Sequence, residues 1–152
     1  MKKSIYPFFS YLQYWLLQED QYSLQSPFIY RIYTNLLSYL SNRKTADLDL
    51  EEIRKRLLQD QEILKISDYG AGSKKLESRF RKTAEVTKFS TTGRKFSQLY
   101  QYFCSLTPAE NVLELGTCVG INSRYLSKAT KGTLYTFEGA ESLNQKAQEF
   151  PI

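Results

Sequence analysis

Residues 111–138, NVLELGTCVGINSRYLSKATKGTLYTFE, admit few arrangements. Val112, Leu113 and Leu115 make an apolar run of strand length. Gly116 and Gly120 follow it, and Gly132 closes the segment behind them. The spacing predicts a helix over 121–129 with Tyr125 and Leu126 inward, a second strand over TLYTFE, and a further helix from Ser142. Strand, helix and strand at this spacing form a parallel βαβ unit, so the expected fold class is α/β.

The turn between the first strand and its helix has the chemistry of a nucleoside site. Glycines let ligand atoms approach the backbone, and a helix N-terminus offers amides without intrahelical partners. An acid at the end of the next strand, about 20 residues on, accepts ribose hydroxyls. Glu138 stands 22 residues after Gly116. A second glycine turn, ISDYGAGSKK at 66–75, follows a short strand expected over 63–68, but no acid-tipped strand comes after it. It also lacks the spacing of a P-loop. A tight turn leading into a basic helix is the expectation there.

Upstream, the pattern predicts helices over 8–18, 27–41, 49–59, 74–89 and 94–106. Ser26 and Pro27 form a start signal, Asp49 a cap, and Pro108 a stop. Ile53, Leu57 and Leu58 are the expected core of the third helix. Leu76, Phe80 and Ala84 share a face of the basic one, and Phe96, Leu99, Tyr100, Phe103 and Leu106 form a stripe on the last. The many aromatic side chains of the first 40 residues are expected to pack helix on helix.

Composition removes several chemistries. The chain has no histidine, so Ser-His and Cys-His nucleophile pairs are excluded, and with them the commonest zinc sites. Cys104 and Cys118 show no CxxC spacing, which fits free thiols in a reducing cytoplasm. No metal-ligand set stands out. The start, MKKSIYPFFSYLQYWLL, imitates a signal peptide but contains Pro7, Ser10 and Gln13, and it is too short and too polar to span a bilayer. The net charge of +5 is concentrated: residues 73–95 hold Lys74, Lys75, Arg79, Arg81, Lys82, Lys88, Arg94 and Lys95 against Glu77 and Glu85, a net of +6.

VLELGTCVGINSRYLSKA followed by GTLYTFEGAESLNQKAQ resembles the opening of class I S-adenosylmethionine-dependent methyltransferases, and more closely their catechol-type O-methyltransferase branch. The stretches SPFIYRIYTNLL and DYGAGSKKL are similar, more loosely, to the N-terminal halves of small bacterial methyltransferases. The resemblance implies a Rossmann-like sheet and S-adenosylmethionine as cofactor. It implies that Gly116 and Gly120 shape the turn against the methionine part, that Thr117 and Ser123 bond its carboxylate or ammonium, that Glu114 orients the loop, and that Glu138 holds the ribose. Cys118 departs from the middle glycine common in this family. A ligand without phosphate conflicts less with a side chain there.

Acceptor, base and metal residues of the resembled family lie beyond its fourth strand, so no catalytic residue and no methyl acceptor can be named. The chain reads as a truncated N-terminal portion, inactive alone: a helical cap region at 1–62, a linking region at 63–110 and the start of a cofactor domain at 111–152. Two other functions stay open. One is nucleic-acid binding by the basic 73–95 segment. The other is a non-catalytic interaction protein whose open sheet edge pairs with another chain; self-association through that edge is a possible case.

Overall fold

A computed structural model describes residues 5–18, 23–67 and 78–150. The fold is mixed α/β and mostly helical, with two small sheets. The chain divides into two units, Met1–Ser38 and Tyr39–Ile152.

The first unit holds α1 (Tyr6–Leu17) and most of α2 (Pro27–Asn42). Ser26 starts α2 as its sequence implies, accepting the Ile29 amide at 3.4 Å. Neither helix buries a residue. Phe8, Phe9, Tyr14 and Trp15 of α1 and Phe28 of α2 are all exposed, so the expected helix-on-helix burial of these rings is absent.

The second unit carries the core. Helix α3 (Leu48–Gln59) starts one residue before the expected Asp49, after Asp47, whose backbone is left-handed. Strand β1 (Ile63–Lys65) pairs antiparallel with β2 (Phe80–Lys82), Leu64 opposite Arg81. Then come α4 (Thr83–Ser90) and α5 (Arg94–Leu106). Strand β3 (Asn111–Leu115), α6 (Ile121–Ser127) and β4 (Thr133–Phe137) form the βαβ unit, with β3 and β4 parallel. Helix α7 (Glu141–Gln148) follows.

One expectation needs correction. The basic helix over 74–89 does not form across its middle. Residues 80–82 instead extend and pair with β1, Phe80 and Lys82 facing outward and Arg81 inward, and the helix begins at Thr83. Cross-strand hydrogen bonds override a helical spacing whose apolar members were few. The 63–65 strand pairs with β2 and not with β3, so there are two separate two-stranded sheets. The glycine turn at 68–73, with Lys74 and Lys75, lies outside the described residues.

One cluster of Leu50, Leu57, Leu64, Ile66, Val86, Val119, Ile121, Tyr125, Ala140 and Leu143 forms the core, with Ile53 packed against it. It draws on residues from both sides of positions 62 and 110, so those positions do not separate cores. Leu58, expected inside, is exposed. Polar ties fasten the helices around the core. The Tyr125 hydroxyl donates to Glu51 at 2.7 Å. Lys146, 6% exposed, reaches with its Nζ to Asp60 at 2.7 Å, Glu62 at 2.6 Å and Glu149 at 2.8 Å. Arg124, 2% exposed, donates to the carbonyls of Gly120 at 2.6 Å and Ala147 at 2.7 Å, and to that of Phe150.

The β3–β4 pair has two unlike faces. Glu114 and Thr136 point toward α6 and bond to each other. On the opposite face Leu113, Leu115, Tyr135 and Phe137 stand in register and are 68%, 84%, 46% and 54% exposed. Among the described residues neither outer edge of this sheet has a strand partner.

Candidate functional site

The turn after β3 is built from the strand pairing upward. The amides of Gly116 and Thr117 both donate to the Phe137 carbonyl, at 2.8 and 3.1 Å, which carries the chain over the tip of β4. Gly116 (φ +94°) and Gly120 (φ +75°) take left-handed conformations, and so does Cys118 (φ 52°). A non-glycine residue there costs on the order of 1–2 kcal/mol, so surrounding contacts must hold it. Glu138 does so. Its Oε2 accepts the Cys118 amide at 2.7 Å, and its Oε1 accepts the Ala140 amide at 2.9 Å. One carboxylate therefore ties the turn after β3 to the turn after β4.

Beneath the turn lies a buried polar knot. Glu114, 9% exposed, accepts the Asn122 amide at 2.7 Å, the Thr136 hydroxyl at 2.8 Å and the Ser123 hydroxyl. Thr117 bonds the Thr136 hydroxyl in turn. Ser123 is fully buried. Three charge-assisted bonds satisfy the Glu114 carboxylate and pin the first turn of α6 to both strands.

Above the turn is a cavity of about 390 Å³, within the range of small-molecule sites. Its lining includes Gly116, Cys118, Glu138, Ala140 and Leu143 from the βαβ side, and Ile66, Ser67, Arg81 and Ser90 from the other. Of the six residues expected from the sequence, Gly116 and Glu138 line it. Glu114, Thr117 and Ser123 support the floor from inside. Gly120 faces away: a Cβ there would meet Arg124 Nη1 at 2.4 Å and the Ala147 Cβ at 3.1 Å. At Gly116 a Cβ would meet open space.

The cavity also holds residues the sequence did not single out. Ile66, Ser67, Arg81 and Ser90 arrive through the β1–β2 pairing and the end of α4, and carry no local signal. Cys118 had one, its place where a glycine is common. Burial pushes its thiol up to about 11, with the nearby Glu138 and Glu114 carboxylates adding to the effect, so the thiol is neutral at physiological pH. Among the described residues no three His, Cys, Asp or Glu side chains gather as metal ligands. No described helix is long and apolar enough to cross a membrane.

Among its described residues the basic segment does not present one charged face. Arg81 turns inward and donates Nε to the Ser78 carbonyl at 2.7 Å, Lys82 reaches Gln61 at 3.1 Å, and Arg94 caps the carbonyls of Lys44 and Ala46.

Comparison with protein-family models, with curated proteins and with solved structures finds no match to this chain.

Proposed function

We propose that the β3–α6–β4 unit binds S-adenosylmethionine in a Rossmann-like arrangement, and that the chain supplies the cofactor-binding part of a class I, O-methyltransferase-like enzyme. The observation that carries this reading is Glu138. A carboxylate has about four lone-pair sites. Two accept the Cys118 and Ala140 amides, and the rest of the group lines the cavity. A ribose diol presents the two hydroxyl donors that such a carboxylate accepts. Gly116 leaves room beside it. When bound, the cofactor supplies a methyl group on a sulfonium sulfur. The chain's own residues hold the nucleoside, exclude water and keep the turn in its left-handed path. No residue here is assigned as catalytic base, and the acceptor is unassigned.

Calorimetry with S-adenosylhomocysteine tests the assignment. Glu138→Gln keeps one acceptor oxygen and should cost about 1.5–3 kcal/mol of binding. Since Glu138 also braces two turns, thermal melts of the variant are read beside the titration. Detectable binding by wild type that the variant matches would sink the assignment.

A second reading, a non-catalytic protein that self-associates, is favoured by a separate observation: the exposed apolar face of β3 and β4.

A further inference from the structure

Glu138 does more than brace two turns: it stands where an anion would bind. Backbone amides that converge at a glycine turn make an anion site, and phosphates are frequent occupants of such sites. Here the amides of Cys118 and Ala140 converge, and both already have an acceptor. It is the two oxygens of one carboxylate, at 2.7 and 2.9 Å. A phosphate would present the same kind of oxygen pair. The neighbouring amides are engaged as well. Those of Gly116 and Thr117 donate to the Phe137 carbonyl, and that of Gly120 donates to the Thr117 carbonyl at 2.8 Å. Helix α6 supplies no replacement, since none of its residues is among the described lining of the cavity.

Charge points the same way. The Glu138 carboxylate lies in the cavity wall and the buried Glu114 lies beneath the same turn, so a phosphate over Gly116 meets negative charge where screening is weak. Arg81 also lines the cavity, but the protein holds it: its Nε donates to the Ser78 carbonyl at 2.7 Å. The Cys118 thiol, being neutral, adds no countercharge.

We infer that Glu138 is a specificity residue that fills the anion site of the turn with its own carboxylate, and so restricts the cavity to nucleosides without phosphate. This rests on the cofactor reading above and narrows it. Two lone pairs of the carboxylate occupy the amides, and the others accept the ribose. Nucleotides and dinucleotides are rejected at the same residue that holds the nucleoside.

The amide resonances of Cys118 and Ala140 in the full chain test this. In wild type, S-adenosylhomocysteine should shift them, and adenosine monophosphate at about tenfold higher concentration should not. Adenosine monophosphate also lacks the amino-acid chain, so Glu138→Ala separates the two causes. With both amides released, adenosine monophosphate should shift them and bind at least about tenfold more tightly than to wild type, while adenosine gains nothing. Glu138→Gln keeps one acceptor oxygen and should show a smaller gain; it carries this arm if the alanine variant does not fold. Equal shifts by both ligands in wild type overturn the inference and leave the cofactor reading standing, and that comparison needs no variant. A folded variant that gains no affinity for adenosine monophosphate also overturns it. Shifts by neither ligand, or by adenosine monophosphate alone, overturn the cofactor reading and the inference with it.

Discussion

Gly116 and Gly120 share a left-handed backbone but answer to different neighbours. Alanine at either carries the strain of positive φ, on the order of 1–2 kcal/mol. At Gly120 the new methyl also strikes the buried Arg124 guanidinium, which holds the carbonyls of Ala147 and Phe150. Gly120→Ala should therefore lower the melting temperature well below that of Gly116→Ala, whereas Gly116→Ala should weaken nucleoside binding with little further loss of stability. Paired melts and titrations of the two variants check this. That Gly116 and Glu138 stand together at one cavity is legible in the sequence, because strand, turn and acid are close along the chain and obey fixed spacing. Gly120 obeys the same spacing, which carries no sign that its neighbour in the fold is Arg124. Arg81 was not readable, since its position depends on a pairing with residues 63–65 that only the folded chain creates.

Among the elements, α5 and α7 show where periodicity succeeds and where it fails. The bounds of α5 match the expectation, 94–106. Its inward face does not: Ser97, Gln98, Gln101 and Tyr102 are buried, while Phe96, Tyr100, Phe103 and Leu106 are exposed. The rotation is set by polar anchors. Arg94 and Gln98 bond the carbonyls after α2, and the Tyr39 hydroxyl donates to Gln101 at 3.0 Å. A pattern that counts apolar residues has no means to see them. Helix α7 is fastened by Lys146. Burial alone would lower its pKa, but hydrogen bonds to Asp60, Glu149 and Glu62 hold it above the ordinary lysine value. Asp60 is held below the usual carboxylate value: burial opposes this, and the bond from Lys146 outweighs it. A raised lysine stabilises fully below its ordinary value and loses that contribution as pH rises through the raised one. A lowered carboxylate stabilises above its ordinary value and loses that as pH falls through the lowered one. Lys146→Met should thus cost about 1–3 kcal/mol in urea melts between about pH 5 and 9, discounted because its acids are partly exposed. The gap from wild type should narrow below about pH 4. A gap that stays constant across this range would mean packing, not charge, holds α7.

The whole molecule combines a well-closed core with a sheet closed on one side. Parallel strands are normally covered on both faces. Here the four large side chains at 113, 115, 135 and 137 face outward together, and contiguous apolar patches beyond a few hundred Å² mark contact surfaces. Sedimentation velocity over rising concentration should show self-association, and Leu113→Lys with Leu115→Lys should return the chain toward monomer. A wild-type monomer at every concentration, melting cooperatively above about 60 °C, would show that the face needs no cover. The exposed rings of α1 set a trap for such melts. Trp15 is the chain's one tryptophan, it belongs to the unit Met1–Ser38, and it is 56% exposed. Its emission should already be that of a water-exposed indole in the native state, so a fluorescence scan would stay nearly flat while the core around Leu57 and Tyr125 came apart. Read alone, that flat trace would pass for an unfolded chain. Far-ultraviolet circular dichroism, which follows the helices themselves, should instead record a cooperative step.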